Sequence, residues 1–441
     1  MDLVVRGGVV VTMDADRAVR RADVVVRDGA IAEVAHASGG ARAARVLDAT
    51  GCAVIPGLVQ AHVHLCQALF RGMADDLPLL EWLRERIWPL EGAHDERSLA
   101  ASARLGLAEM ILAGTTTILD MGTVHHHDVV FEAMRESGIR GFSGKAMMDH
   151  GHGVPKGLRE KTRESLREAE RLCQEWNGAD GGRLGYAFAP RFVLSCSERL
   201  MRETAEMARA LGALLHSHVA EHADERAAVR DALGMDDVEA LAEYGLRGPT
   251  CLLAHAVQLR KDEMRRMAKD GTRVAHCPSA NLKLASGIAD VRAMRDAGIV
   301  VGLGADGAPC NNRMDPWTEL RQAALLAKVK RASAAALPAI EALELATIDG
   351  ARALGIDDRV GSIEPGKRAD IVVVSLDGMH AEPPTDPVAT LVYATTATDV
   401  RHVVVDGRVV VKDRELLTLD ADSVRAGARA EAKRVAARAR V

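Results

Sequence analysis

Apolar and polar positions follow two different rhythms along this chain. Residues 4–14, 22–34 and 44–51 read as short alternating strands with Gly or Asp at the turn positions. The same texture returns in GKRADIVVVSLDG (366–378) and VRHVVVDGRVVVKDREL (400–416). Two β-rich ends around a different middle predict one small β-sandwich assembled from both termini. In the middle, short apolar runs alternate with amphipathic stretches of helical period, the pattern of a parallel sheet wrapped by helices. Eight such runs stand out: AVIPGLVQAHVH (53–64), GTTTILDM (114–121), IRGFSGKAMM (139–148), RLGYAFAP (183–190), ALLHSHVAE (213–221), TCLLAHAV (250–257), TRVAHCP (272–278) and IVVGLGADG (299–307). Eight β/α units predict an α/β fold, a (β/α)8 TIM barrel. The expected organisation is 1–56 for the first part of the sandwich, 57–360 for the barrel, and 361–441 for the rest of the sandwich plus a terminal helix. The Ala-, Arg- and Glu-rich run from Ala421 to Val441 is expected to be a solvated helix.

Composition narrows the class. A length of 441 residues suits one barrel with an appendage. Hydrophobic residues at 48% and charged residues at 27% are the balance of a soluble globular protein, and aromatics at 3% leave the core to Ala, Val, Leu and Ile. A net charge of -5 with no basic block argues against nucleic acid as a partner. No apolar segment approaches the roughly 20 residues of a membrane helix, and the run after Met1, with Asp2 and Arg6, does not read as a signal peptide. Seven scattered cysteines without a C-x-x-C speak against disulfides and a structural Cys-zinc site, and point to a reducing cytoplasm.

Barrel chemistry is built at the C-terminal ends of the strands. Here those ends read HVH, LDMG, KAMMD, APRF, HVAE, AHAV, HCPSAN and GADGAPCNN, a crowd of ligand-capable residues that packing does not explain. His62 and His64, two apart on a strand, point to one face and can chelate one divalent ion. His218 and Asp306 are the natural completing ligands. Three imidazoles and one carboxylate leave a position open for water, which a metal acidifies to a pKa of about 7 in favourable sites. His216 lies one layer deeper, as a core histidine or a support for the site. Glu221, three residues after His218, suits a proton shuttle; alternatively it is a carboxylate favoured by a helix N-terminus. His255 could orient the attacking water or be a satisfied barrel histidine, and His276 is open between pocket and structure. Adjacent His125, His126 and His127 point different ways and read as loop residues, at most one of them near substrate.

With these pieces placed, the chain resembles the amidohydrolase superfamily over essentially its whole length. The motifs that carry the resemblance are PGLVQAHVHLCQALFRG (56–72), GTTTILDM (114–121), HSHVAE (216–221), LLAHAV (252–257), AHCPSANLKLASG (275–287), GLGADGAPCNN (302–312) and ATIDGARALGIDDRVGSIEPGKRADIVV (346–373). It is similar to the aminohydrolase branch that includes S-adenosylhomocysteine, methylthioadenosine and 5'-deoxyadenosine deaminases, guanine deaminase and the triazine hydrolases. The resemblance implies a mononuclear site with His62, His64, His218 and Asp306 as ligands, holding zinc or else iron, manganese or nickel. It also implies a metal-bound hydroxide that attacks the amino-bearing carbon of a small aminated heterocycle. Glu221 would protonate a ring nitrogen, His255 and Asp306 would handle the protons of the water, and ammonia would leave. A homo-oligomer is expected from the family. Two-metal relatives carry a carboxylated lysine at the end of strand four, where this chain has Ala189-Pro190-Arg191; Lys145 ends strand three instead.

The substrate is read less directly. Glu91, in IWPLEGAH, resembles the carboxylate that nucleoside deaminases aim at ribose hydroxyls, or else is a surface helix residue. Gln67 and Arg191-Phe192 resemble the purine-recognising positions of guanine deaminase, and Arg191 stands where methylthioadenosine deaminases usually carry a histidine. ADDLPLLEWLRERIWPLE paired with GADGAPCNN looks most like 5'-deoxyadenosine deaminases, which sets the preferred expectation. Trp88 and Asn281 are pocket-lining candidates and Trp82 reads as core. Cys310, close after Asp306, lines the pocket or is a buried loop thiol. The alternatives are guanine deaminase, a triazine-type chloro- or aminohydrolase and, remotely, a barrel without catalysis, against which the full set of expected ligands speaks.

Overall fold

The computed structural model describes residues 3–36 and 44–441. Barrel strands run Leu58–Val63, Thr115–Met121, Arg140–Gly144, Leu184–Pro190, Leu214–Val219, Cys251–His255, Arg273–His276 and Val301–Leu303, and they neighbour one another in sequence order. All pair in parallel. Thr115–Met121 and Leu184–Pro190 are buried at every position, as strands covered on both faces must be. The first and eighth strands come together through a parallel bridge between Val63 and Asp306. Asp306 N donates to His62 O at 3.1 Å, and His64 N donates to Asp306 O at 3.4 Å. Gly304 makes this approach possible, because a Cβ there would lie 2.6 Å from His62 O.

Both termini share a second sheet of nine strands. Cys52–Pro56 from the N-terminal part pairs antiparallel with Ile371–Ser375 from the C-terminal part. Strands Val19–Arg27 and Ala30–His36 are joined by Asp28-Gly29, both with positive φ, the two-residue turn that fits strand twist. The small domain is one continuous mixed sheet with its own core, which includes Val5, Val24, Ile31, Val54 and Val373.

The run 53–64 crosses the expected boundary between the small domain and the barrel: Cys52–Pro56 belongs to the small sheet, and the barrel starts at Leu58, after the break at Pro56-Gly57. One detail differs from the sequence pattern. The terminal helix, Ala421–Ala439, is not fully solvated. Ala428, Glu431 and Val435, spaced three and four apart on one face, are buried, and Ala428 and Val435 pack in a cluster with Leu69, Phe70 and Leu90. No helix among the described residues is long and apolar enough to cross a membrane.

Gly304→Ala would press a Cβ against the backbone of His62. We expect a loss of about 1–3 kcal/mol of stability, the usual cost of overpacking, read by denaturant unfolding. A variant as stable as the parent would contradict this picture of barrel closure.

Candidate active site

Strand alternation puts His62 and His64 on one face at the barrel mouth, and both are buried. His64 Nδ1 lies 2.7 Å from Met121 O, and His218 Nδ1 lies 2.7 Å from Arg191 O. A carbonyl oxygen only accepts, so both rings carry their proton on Nδ1 and leave Nε2 bare. His62 reaches the same state through a relay. His216 Nδ1 is 2.9 Å from Leu252 O, so His216 Nε2 is a bare acceptor, and His62 Nδ1 donates to it at 2.7 Å. Burial lowers the pKa of all three rings, that of His64 to about 3, which keeps them neutral.

Three bare nitrogens therefore converge with a carboxylate. His64 Nε2 lies 3.3 Å from His218 Nε2, while Asp306 Oδ1 lies 3.4 Å from His62 Nε2 and 3.3 Å from His64 Nε2. A tetrahedral ion with bonds of 2.0–2.1 Å would space its ligands by about 3.3–3.4 Å. His62 Nε2 has no hydrogen-bond partner among the described residues. Buried lone pairs facing one another repel unless a cation lies between them, so this donor set fits one divalent metal ion. Lys145 is turned away: its Nζ donates to Glu160 at 2.5 Å and to Ser165 Oγ at 3.2 Å.

Asp306 and His255 both have left-handed backbones, with φ of 61° and 73°. Such conformations cost of order 1–3 kcal/mol each in residues other than Gly, and they cluster at functional sites. His255 Nε2 is 3.5 Å from Glu221 Oε2 and 3.9 Å from Asp306 Oδ2. Burial, with the charge of Asp306 adding to it, pushes the Glu221 carboxyl well above the ordinary carboxylate range.

A cavity of about 30 Å³ adjoins these groups, with His64, His218, Glu221, His255 and Asp306 on its wall. That is room for a water beside the ligand atoms. Leu79, Trp82 and Leu83 cover it, so Trp82 belongs to the pocket as well as to the core. Gln67, Arg191, Phe192 and Glu225 complete the wall. Glu91 is buried, not on a surface helix. Its carboxylate accepts from Arg191 Nη1 at 2.5 Å, Arg191 Nη2 at 3.2 Å and Gln67 Nε2 at 2.8 Å.

Three pocket candidates lie outside that wall, Cys310 among them still beside the Asp306 carboxylate. Trp88 faces a neighbouring cavity of about 470 Å³ with His150, His152 and Tyr244, divided from the metal-ligand cluster by Phe192, which borders both spaces. Asn281 stands behind His255, its Oδ1 taken by His255 Nδ1 at 2.9 Å. Cys310 is a buried loop thiol that donates to Gly307 O. His276 is buried outside the wall, and of the histidine run only His127 is buried, against Ser143 Oγ at 2.9 Å.

The pattern also passed over two supports. Asp120, whose pKa burial raises to about 7, accepts from Leu65 N at 2.7 Å and from Ser143 Oγ at 2.5 Å, fixing the turn after His64. Gln60 Oε1 accepts from Ala305 N at 3.1 Å and so pins the residue before Asp306. Their signal was visible: a polar residue within an otherwise apolar barrel strand.

Fold and site together describe a hydrolase of the barrel type. Residues 53–410 match the amidohydrolase family. The chain is 42% identical over 395 residues to a 5-methylthioadenosine/S-adenosylhomocysteine deaminase of Halobacterium salinarum, covering 89% of each protein. It is 40% identical over 402 residues to a 5'-deoxyadenosine deaminase of Methanothermobacter thermautotrophicus, covering 91% of this chain and 92% of that one. The crystal structure of an adenosine deaminase from Xanthomonas campestris with bound zinc matches with a TM-score of 0.93 at 33% identity over 99% of each chain. The chain belongs to the amidohydrolase family and is a hydrolase; the family uses a divalent metal.

His216→Phe removes the acceptor that sets the His62 tautomer. Metal affinity should fall 10- to 100-fold, the usual effect of losing a ligand's hydrogen-bond support, in competition with a chelator. Unchanged affinity would break the relay.

Proposed function

We propose that this hydrolase removes the amino group of an aminated purine or purine nucleoside, of the 5'-deoxyadenosine, methylthioadenosine or S-adenosylhomocysteine type, and releases it as ammonia. One observation carries the reading. Three histidines with bare Nε2 atoms and one carboxylate converge beside the buried Glu221 carboxyl, whose pKa burial raises. The relatives named for 5'-deoxyadenosine and methylthioadenosine support the substrate class.

A divalent ion, zinc in first place, held by His62, His64, His218 and Asp306 would supply Lewis-acid activation of a water. The chain's own groups handle the protons. Glu221 delivers its proton to the ring nitrogen beside the amino-bearing carbon, which makes that carbon electrophilic. His255 Nε2 accepts a proton of the attacking water and passes one to the departing nitrogen. Water adds, the C–N bond breaks as ammonia leaves, and the remaining hydroxyl proton returns to the Glu221 carboxylate, which leaves a carbonyl and restores the acid. Leu79, Trp82 and Leu83 shield the site, which strengthens each charge interaction within it. Seven unpaired, buried cysteines suit a reducing cytoplasm.

A second reading, guanine deaminase, is favoured by one contact. Glu91 is held by Arg191 and Gln67 instead of standing free for a ribose diol, and Gln67 Oε1 has no partner among the described residues. Ammonia release across 5'-deoxyadenosine, methylthioadenosine, S-adenosylhomocysteine, adenosine, guanine and melamine separates the two. Turnover of the nucleosides is expected, and turnover of guanine alone would overturn the first reading.

Glu221→Gln should retain the metal and lose about 10²- to 10⁴-fold in kcat, the range for a positioned general acid, in a steady-state ammonia assay. Asp306→Ala should lose turnover and hold metal more weakly. Full activity in Glu221→Gln would remove that residue from the mechanism.

A further inference from the structure

His255 can take a proton on Nε2 only if its own proton sits on Nδ1, and the one side chain hydrogen-bonded to that Nδ1 is Asn281. The two are 26 residues apart, one ending the sixth barrel strand and the other on the helix Pro278–Lys283 that follows the seventh. Asn281 is buried, and its Nδ2 finds no acceptor among the described residues, so its only hydrogen bond through the side chain is the one to His255. Its backbone is fixed: Asn281 N donates to Cys277 O and Asn281 O accepts from Ser286 N at 2.8 Å.

The helix that carries Asn281 is tied in turn to the loop that carries Asp306. Glu319, fully buried on the helix Pro316–Arg331, accepts from Ser279 N at 3.0 Å, from Ser279 Oγ, and from Asn311 Nδ2 at 2.9 Å. Asn311 Nδ2 also donates to Ala305 O at 2.7 Å, one residue before Asp306. His255 and Asp306 are therefore held in register by one set of buried contacts outside the pocket.

We propose that Asn281 is a positioning residue. Its Oδ1 selects the Nδ1–H tautomer of His255 and turns the bare Nε2 toward Glu221 and Asp306. This rests on the deaminase reading for what His255 does, but the tautomer is measurable without turnover. Asn281 then acts through His255.

The test uses the metal-loaded protein with 15N-labelled histidine, His255 being assigned by its loss in His255→Gln. NMR of the parent should show His255 protonated on Nδ1. Asn281→Leu should lose that tautomer preference, and Asn281→Asp, which keeps an acceptor oxygen, should retain an Nδ1 proton. Metal content should stay at the parent level in both. On whichever heterocycle the parent turns over, Asn281→Leu should lower kcat by about 10²-fold with KM within about twofold, and Asn281→Asp should recover part of the loss. An Nε2–H tautomer in the parent would overturn the proposal, as would an unchanged His255 spectrum in Asn281→Leu. So would a loss in Asn281→Leu confined to KM, which would make Asn281 a substrate contact. If the tautomer responds as stated and no heterocycle is turned over, the deaminase reading fails and the role of Asn281 stands.

Discussion

The first and eighth strands of the barrel join at the mouth through the backbone of Asp306, and the arrangement of the site starts from that bridge. Asp306 accepts from His64 N and donates to His62 O, so one residue sets the spacing of both histidines while its side chain faces their Nε2 atoms. The bridge holds Asp306 in a left-handed conformation that a free loop would leave. Gly304 below it and Gln60 beside it are the local conditions: one lets the strands approach, and the other fixes the preceding residue. Closing the barrel and assembling the ligand set are thus one structural event.

Electrostatics then divides the labour between two carboxyl groups that share the mouth. Asp306 is the carboxylate of the ligand set, whereas the Glu221 carboxyl is pushed up by burial and by the charge of Asp306. Neighbouring carboxyls driven apart in this manner supply a base-side anion and an acid at the same pH. Glu91 shows a third solution. Burial alone would protonate it, but Arg191 keeps it charged and uses it as an anchor. The guanidinium, not the carboxylate, is the ionic group of that pair on the pocket wall.

Much of this was legible in the sequence, for a definite reason. A period of two along strands, a period near four along helices and polar residues at strand ends are local signals, and they announce the barrel and the positions of His62, His64, His218, Glu221, His255 and Asp306. What the pattern could not carry were pairings across long sequence separations. The relay from His216 to His62 spans 154 residues, the anchor from Arg191 to Glu91 spans 100, and the contact of Asn281 with His255 depends on where one short helix lands. Glu91 sits on the helix Trp88–Gly92, whose burial depends on packing against the rest of the barrel mouth. Trp88 and Trp82 show the same limit, since one turn of helix decides which of two cavities each ring faces.

Four converging ligand atoms make a single-ion site, and elemental analysis of protein purified without added chelator checks this. One divalent ion per chain is expected, and it should be lost in a His62→Ala, His64→Ala double variant that still folds. Two ions per chain, or one ion retained after both histidines are removed, would contradict a single-ion site.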